Sequence, residues 1–357
     1  MKHLGDITKM IGWEIEPVDV VIGGSPCQDL SIAGKRTGLG GERSGLFMEQ
    51  IRVVREIREV EKQRGRTNQF IRPRFMLWEN VPGALSSNKG EDFRLVLEET
   101  ARIAEPNVSI PGPPGGKWRK SGCILGDGWS IAWRILDAQF WGVPQRRRRI
   151  ALVADFGGHA APEILFVRKS VCWDAAQGGE ERTDAGWAAE NSYDKAGGRF
   201  VYENHGQDCR FNGPLTVSQT VSSTFGMGGN NQPLVLENGK VRRITPLECE
   251  RLQGYPDNYT DIGPWIDSKG KTHRESSDRN RYTALGNSIA LPPWAWLLKR
   301  LCSCYERTAT MASLFDGIGG FPLIWERLNG PGSCLWASEI EEFPIAVTKK
   351  HFGGTQP

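Results

Sequence analysis

Thr310-Met311-Ala312-Ser313-Leu314-Phe315 runs directly into Asp316-Gly317-Ile318-Gly319-Gly320, and the reading of that junction decides the fold. A short apolar run closed by a glycine turn reads as a buried strand feeding a helix, the opening half of a nucleotide-binding βαβ unit. Cys334-Leu335-Trp336-Ala337-Ser338 supplies the second strand, and Glu339 stands at its end, about 20 residues past the turn, where a carboxylate would accept ribose hydroxyls. The glycine turn alone is a weak signal; the pair is a much stronger one.

The same strand-then-turn pattern recurs elsewhere. Asp19-Val20-Val21-Ile22-Gly23-Gly24 is an apolar run ending at Ser25-Pro26-Cys27-Gln28, and Arg74-Phe75-Met76-Leu77-Trp78 ends at Glu79-Asn80-Val81-Pro82-Gly83. Residues 45–62 read as an amphipathic helix, with Leu46, Met48, Ile51, Val54 and Ile57 near one face, and a second helix covers 91–104. Residues 105–122 are rich in Pro and Gly and read as loop; Ser130–Ala138 and Ile150–Asp155 read as strands joined by an arginine-rich turn. The alternation predicts an α/β, doubly wound, mostly parallel sheet of Rossmann type.

From about 157 to 240 the chain turns polar and rich in Gly, Asn and Ser, as a smaller loop-rich inserted domain would. Phe200-Val201-Tyr202, Phe211 and Leu234-Val235-Leu236 offer it some core. Helical patterning returns at Thr245–Gln253, opened by a Thr N-cap and a Pro at the first turn, and again at 291–305. The expected division is 1–156, 157–281 and 282–357, with the first and last segments forming one domain.

Composition bounds the function. With 45 Lys and Arg against 42 Asp and Glu, the net charge of +3 advertises no global field for a polyanion. Two local clusters, Arg146 to Arg149 and Lys35, Arg36 with Arg43, could neutralise phosphates, although either alone fits a solvated charged face better. No apolar run approaches the roughly 18 residues of a membrane span, and no signal-peptide pattern opens the chain, so a cytoplasmic location is expected. Eight cysteines are scattered without a CxxC pair, which argues against structural zinc and, without an export signal, for reduced thiols. Only Cys27 sits where chemistry is done, at a strand's C-terminal end with arginines near enough to favour its thiolate. A buried small residue fits that tetrapeptide equally well. Glu79, at another strand end, could serve beside a thiolate as an acid of tuned pKa, or merely cap a helix or pair with a cation.

Taken together, these blocks resemble the cytosine-5 DNA methyltransferases over nearly the whole chain outside the insert. Gly24-Ser25-Pro26-Cys27-Gln28-Asp29-Leu30-Ser31 is similar to the family's nucleophile motif, Glu79-Asn80-Val81 to its ENV motif, and Gln145, Arg147 and Arg149 fall in register with QxRxR. Arg242 to Pro256 (RRITPLECERLQGYP) resembles its longest signature, Gly286-Asn287-Ser288 its last motif, and Phe315 to Gly320 its first. The order departs from the usual one, because the cofactor blocks come last. Joining Pro357 to Met1 would restore it, so a circular permutation is expected. Ile340 stands where an aromatic residue often packs on adenine, and Thr283-Ala284 replaces the residues often found before GNS.

The resemblance implies a methyltransferase that uses S-adenosylmethionine and acts on carbon 5 of a cytosine flipped out of a specific double-stranded DNA sequence. Cys27 would be the nucleophile, with Glu79, Arg147 and Arg149 holding the base. Phe315, Gly317, Gly319, Glu339, Ile340, Asp6, Ile7, Pro26, Asn287 and Ser288 would line the cofactor pocket. Gln28, Ser31, Lys35, Arg36, Arg43, Thr220 and Gly228 would meet DNA, the glycine-rich 34–45 stretch acting as a lid and the insert reading the sequence. No metal and no membrane partner are expected. A monomer serving restriction-modification or a phage, with a cognate endonuclease as companion, would fit; a tRNA cytosine-5 methyltransferase is the alternative.

Overall fold

A computed structural model of the chain describes residues 1–25, 45–166, 201–204, 211–228, 231–237 and 240–353. In chain order its strands are β1 (Lys2–His3), β2 (Val20–Gly23), β3 (Phe75–Asn80), β4 (Ser121–Gly126), β5 (Trp129–Asp137), β6 (Arg148–Asp155), β7 (Val201–Asn204), β8 (Phe211–Leu215), β9 (Leu234–Glu237), β10 (Lys240–Arg243), β11 (Trp265–Ile266), β12 (Thr272–His273), β13 (Met311–Leu314) and β14 (Cys334–Ser338). The α-helices are α1 (Gly45–Gln63), α2 (Glu91–Ala101), α3 (Ala160–Leu165), α4 (Pro246–Gln253), α5 (Asp278–Asn287), α6 (Leu291–Cys302), α7 (Gly320–Asn329) and α8 (Glu342–Phe352).

Eight strands form one sheet in the order β1-β14-β13-β2-β3-β6-β5-β4. The pairings from β1 across to β3 are parallel, whereas β6, β5 and β4 run antiparallel to their neighbours. The expected α/β sheet is therefore present, with a strand the sequence reading did not assign: Ser121–Gly126, whose first two residues fall in the expected loop, pairs along β5 as an edge. Its burial alternates and its apolar content is slight, which hides it from a search for apolar runs. The arginine block is a second difference, since Arg148 and Arg149 begin β6 and do not lie in the turn.

Alternation along the central strands explains why both faces are covered. Val20 and Ile22 of β2, with Phe75 and Leu77 of β3, join one buried cluster with Leu297, Leu298 and Leu301 of α6 and Ile324 and Trp325 of α7. Val21, Met76 and Trp78 point the other way, into a cluster with Ile51, Val54 and Ile57 of α1 and Phe93, Val96 and Leu97 of α2. Successive side chains of a strand face opposite sides, so an unbroken apolar run is what a doubly covered sheet demands. The helix ends obey local chemistry as well. Thr245 and Glu248 close a reciprocal capping box on α4, Pro246 opens its first turn, and Gly254 ends it at φ 78°.

Past residue 157 the main body continues, for α3 packs on β5 and β6. The segment beyond it contributes a four-stranded antiparallel sheet in the order β10-β9-β7-β8. The two strands latest in sequence lie inside the large sheet, between β1 and β2, and the Met1 amino group donates to the Phe352 carbonyl at 3.0 Å. Among the described residues no helix is long and apolar enough to cross a membrane, and no three potential metal ligands cluster.

Register at the middle is set from below. The Asp19 carboxylate, 2% exposed, accepts from Arg307 Nη1 and Nη2 at 2.8 and 2.6 Å and from Thr310 N and Oγ1 at 2.8 and 3.1 Å. Burial alone would raise its pKa, but these donors hold it below the usual aspartate range. A depressed carboxyl adds stability that is complete above its unfolded pKa of about 4 and is lost as pH falls through the folded value. Asp19→Asn should therefore lower stability by roughly 2–3 kcal/mol at pH 7, read by urea unfolding, with the gap to wild type closing under acid.

Candidate active site

The parallel strands end at one edge. Leu314 of β13 lies opposite Ser338 of β14 and Gly23 of β2, and Gly23 lies opposite Trp78 of β3. The residues that follow are Phe315 to Gly319, Glu339, Gly24-Ser25 and Glu79-Asn80, so the sequence's scattered turns are brought side by side. From β13 the chain passes through α7 to β14 on one side; from β2 it passes through α1 to β3 on the other. A crevice at such a change of direction is where open α/β sheets bind ligands.

On the β3 side, Glu79 Oε1 receives Arg149 Nε at 2.8 Å, the two side chains being 15% and 18% exposed. Burial raises the Glu79 carboxyl pKa, with Arg149 and Arg147 pulling the other way. Gly24 leaves room for this carboxylate, since a Cβ there would lie 2.9 Å from Glu79 Oε2. Next to it, Asn80 Nδ2 donates to the Ser25 carbonyl at 3.0 Å while Asn80 Oδ1 accepts from Val81 N at 2.8 Å, and Trp78 Nε1 donates to Ser25 Oγ at 2.9 Å. Asn80 and Trp78 thus fix the backbone two residues before Cys27. Neither was given a role from sequence, although Asn80 lies within the ENV block. Cys27 itself, with Pro26, Gln28, Ser31, Lys35, Arg36, Arg43 and the expected lid, lies outside the described residues.

The arginine block divides by strand alternation. Gln145 and Arg147 are buried and Arg149 is partly so, whereas Arg146 and Arg148 are exposed. Arg147 does not reach Glu79 through a hydrogen bond. Its Nη1 donates to Val221 O at 3.0 Å and its Nη2 to the carbonyls of Gly286 (2.9 Å) and Ser288. A guanidinium only 2% exposed must spend its donors on such acceptors. Burial lowers its pKa to about 9, so it keeps its charge at neutral pH. Gln145 bridges Leu252 O (3.0 Å) and Val221 N (3.1 Å), which makes the block's inner face a tie between β6, α4 and the segment around 221. Thr220, expected at DNA, donates its hydroxyl to the Arg146 carbonyl, and Gly228 adopts φ 86° with open space around it.

On the β13 side, Phe315, Gly317 and Gly319 adopt φ of 54°, 57° and 77°. The first is a strained conformation for a residue with a Cβ, costing about 1 kcal/mol or more. Glu339 Oε2 accepts from Gly317 N at 2.7 Å, and its Oε1 accepts from the amides of Ile340 (2.7 Å) and Glu341 (2.9 Å). Ile340 is 67% exposed at the rim, while Ile7 is 3% exposed and packs into the core. Asp6 Oδ1 accepts from Thr8 N and Oγ1 and caps a short 3-10 turn. Asn287 is exposed; the Ser288 hydroxyl bonds the Tyr255 hydroxyl below the loop.

These residues fit S-adenosylmethionine on two observations. A Cβ at Gly317 would meet nothing within 4 Å, so the space beside the loop crest is open. Both oxygens of Asp316, buried at 6% exposure in that loop, lack a hydrogen-bond partner among the described residues. Sequence reading passed over Asp316, though a charged residue directly behind an apolar strand is a visible signal.

A model of the C-5 cytosine-specific DNA methylase family matches residues 1–103 and 168–302, well over half of the chain. The chain belongs to that family. Similar proteins include the DNA N-6-adenine-methyltransferase of Escherichia phage P1, 28% identical over 84% of this chain and 55% of its own length. Type II methyltransferase M1.ScrFI of Lactococcus lactis subsp. cremoris is 25% identical over 85% of this chain and 67% of its own. This family member therefore spans little more than half of the phage protein. Among solved structures, S. pombe Dnmt2 methyltransferase aligns over 84% of each chain at a TM-score of 0.48 and 16% identity.

Within this C-5 methylase the Asn80–Ser25 bond yields a direct expectation. Asn80→Ala should lower the unfolding temperature by only a few degrees, and slow methyl transfer about tenfold or more by releasing Ser25. Cofactor affinity, measured by calorimetry, should stay at the wild-type value.

Proposed function

We propose that this chain transfers a methyl group from S-adenosylmethionine to carbon 5 of a cytosine flipped out of a specific duplex DNA sequence. The observation that carries the reading is the Glu79–Arg149 pair, held beside the Ser25 turn that leads into Cys27. When bound, S-adenosylmethionine supplies a methyl group on a positively charged sulfur, the electrophile this chemistry needs. Phe315, Gly317, Gly319, Glu339, Ile340, Asn287 and Ser288 would hold it, with Asp6 and the Ile7 backbone beside the adenine.

Carbon 5 of cytosine is a poor nucleophile, so the ring must first be activated. The Cys27 thiolate adds to carbon 6 and pushes electron density to carbon 5. Glu79, its pKa already raised by burial, holds the exocyclic amine and ring N3 as charge develops there. Arg149 donates to the base O2 and keeps the carboxylate oriented, while Arg147 anchors the walls at Val221 and Gly286–Ser288. Loss of the carbon 5 proton then expels the thiolate and frees the methylated base. Extrusion of the cytosine costs a few kcal/mol, which contacts from the 34–45 lid and the exposed Arg146 and Arg148 would offset.

The segment 157–281 would carry target recognition, apart from α3, which packs with the main sheet. We also propose that the motif order reflects circular permutation, which the Met1–Phe352 contact supports. Names of relatives point to restriction-modification or phage roles, and the phage P1 protein's name raises a second reading, adenine methylation.

The deciding experiment offers the protein labelled S-adenosylmethionine with duplex DNA or with tRNA, then resolves the product nucleosides. Label in 5-methylcytosine from DNA is expected; label only in N6-methyladenine, or only in tRNA, rejects the reading. Cys27→Ser should abolish transfer while cofactor binding persists. Glu79→Gln should slow single-turnover transfer by about 100-fold or more.

A further inference from the structure

Asp316 is the one charged residue of the glycine turn, the mechanism above leaves it unused, and its surroundings are unusual. It follows the end of β13, between Phe315 and Gly317, both at positive φ, so the backbone is forced to present it in one place. Neither carboxylate oxygen has a hydrogen-bond partner of normal geometry among the described residues, and the buried Ser313 hydroxyl is the one nearby donor that acts on them. Buried acceptors are normally satisfied, so an orphaned pair in a functional loop asks for a donor that arrives from outside.

The electrostatics agree on the sign of that donor. Burial pushes the Asp316 carboxyl up to about 8; the Ser313 hydroxyl offsets this only in part, and the charge of Glu339 adds to it. Burial raises the Tyr255 and Tyr259 hydroxyls and the Asp316 charge adds to it, and Tyr255 is the partner of Ser288 in the Gly286-Asn287-Ser288 block. The carboxylate therefore sits between the glycine turn and that block, in a region of unrelieved negative potential. Among the described residues no basic side chain acts on it. Of the basic groups in the network, Arg327 acts on Tyr259 and Arg147 on Tyr255, and Arg147 spends its terminal nitrogens on three carbonyls. A metal ion is a poor match, because Glu339 already serves three backbone amides and two carboxylates alone make a thin ligand set.

We infer that Asp316 is the acceptor for the α-ammonium group of the cofactor's amino-acid end, a contact made only when S-adenosylmethionine or its demethylated product is bound. This rests on reading the loop as the cofactor site. An ammonium is preferred over the sulfonium because it carries N–H donors, which the orphaned oxygens need and a sulfonium lacks. The ligand-free protein keeps a buried acid without partners, and binding supplies the missing charge-assisted hydrogen bonds.

The test compares S-adenosylhomocysteine with its deaminated analogue, in which hydrogen replaces the amino group, by calorimetric titration of the full chain. Wild type should bind the amino compound about 30-fold more tightly, and Asp316→Asn should reduce that preference to near unity. The ligand-free variant should melt at or above the wild-type temperature, since the substitution removes a buried, unpaired acid. A variant that keeps the wild-type preference overturns the assignment. So does one that loses affinity equally for both ligands while melting several degrees lower, the mark of a structural role. Weakened S-adenosylmethionine binding with unaltered S-adenosylhomocysteine binding would move the contact to the sulfonium, again against the assignment. If wild type binds neither S-adenosylmethionine nor S-adenosylhomocysteine, the cofactor reading fails, and this inference with it; binding with unchanged discrimination defeats the inference alone.

Discussion

The Asp19 carboxylate pins the start of β2 to the start of β13 through four hydrogen bonds from Arg307 and Thr310. These strands are distant in sequence and meet only through tertiary structure, so nothing local fixes their register. With their starts held level, Leu314 and Gly23 come opposite each other, and the turns that follow face one crevice. A slip of one residue would exchange the two faces of β2, sending Val21 and Ile22 into the wrong clusters and lowering the Ser25 turn relative to the glycine loop. The pair, a buried carboxylate met by an arginine that reaches in from the surface, is thus better understood as setting alignment than as a large net source of stability.

Much of this was legible in the sequence because period and punctuation are local. Apolar runs closed by Gly or Pro marked β2, β3 and β13, a run ending at Glu339 marked β14, and the Thr245-Pro246 opening marked α4 at its true cap. What escaped was of two kinds. Edge strand β4 carries a weak apolar signal, as its side chains gain burial from one side only. The roles within motifs escaped for a different reason: Asn80, Arg147 and Asp6 were quoted or assigned by position, yet their partners lie at Ser25, at Val221 with Gly286 and Ser288, and at Thr8. Spacing names the residue type that a site needs; it does not say which of two neighbouring residues faces the ligand.

The four-arginine block makes that point in physical terms. As charge it is a uniform patch, and a uniform patch suggests phosphate binding. As the start of a strand it cannot be uniform, because alternate residues must face opposite ways. Arg147 and Arg149 turn inward with Gln145, one to bind carbonyls and the other a carboxylate, while Arg146 and Arg148 turn outward. A sequence of identical residues thereby does three jobs, and replacing the inner pair has consequences that replacing the outer pair does not.

The same loops carry the structure's discomforts. Phe315 holds a backbone conformation that a side chain resists, Asp316 is buried without partners, and the Glu79 carboxyl is raised by its surroundings. Each is unfavourable in the folded chain taken alone, and each lies at the C-terminal edge of the parallel strands. A fold tolerates such costs where the framework is over-determined, here by strands covered on both faces. Their concentration at one edge is an argument for ligand binding that is independent of any likeness to other proteins: Asp316, left without partners by the protein itself, is the kind of group a bound ligand satisfies.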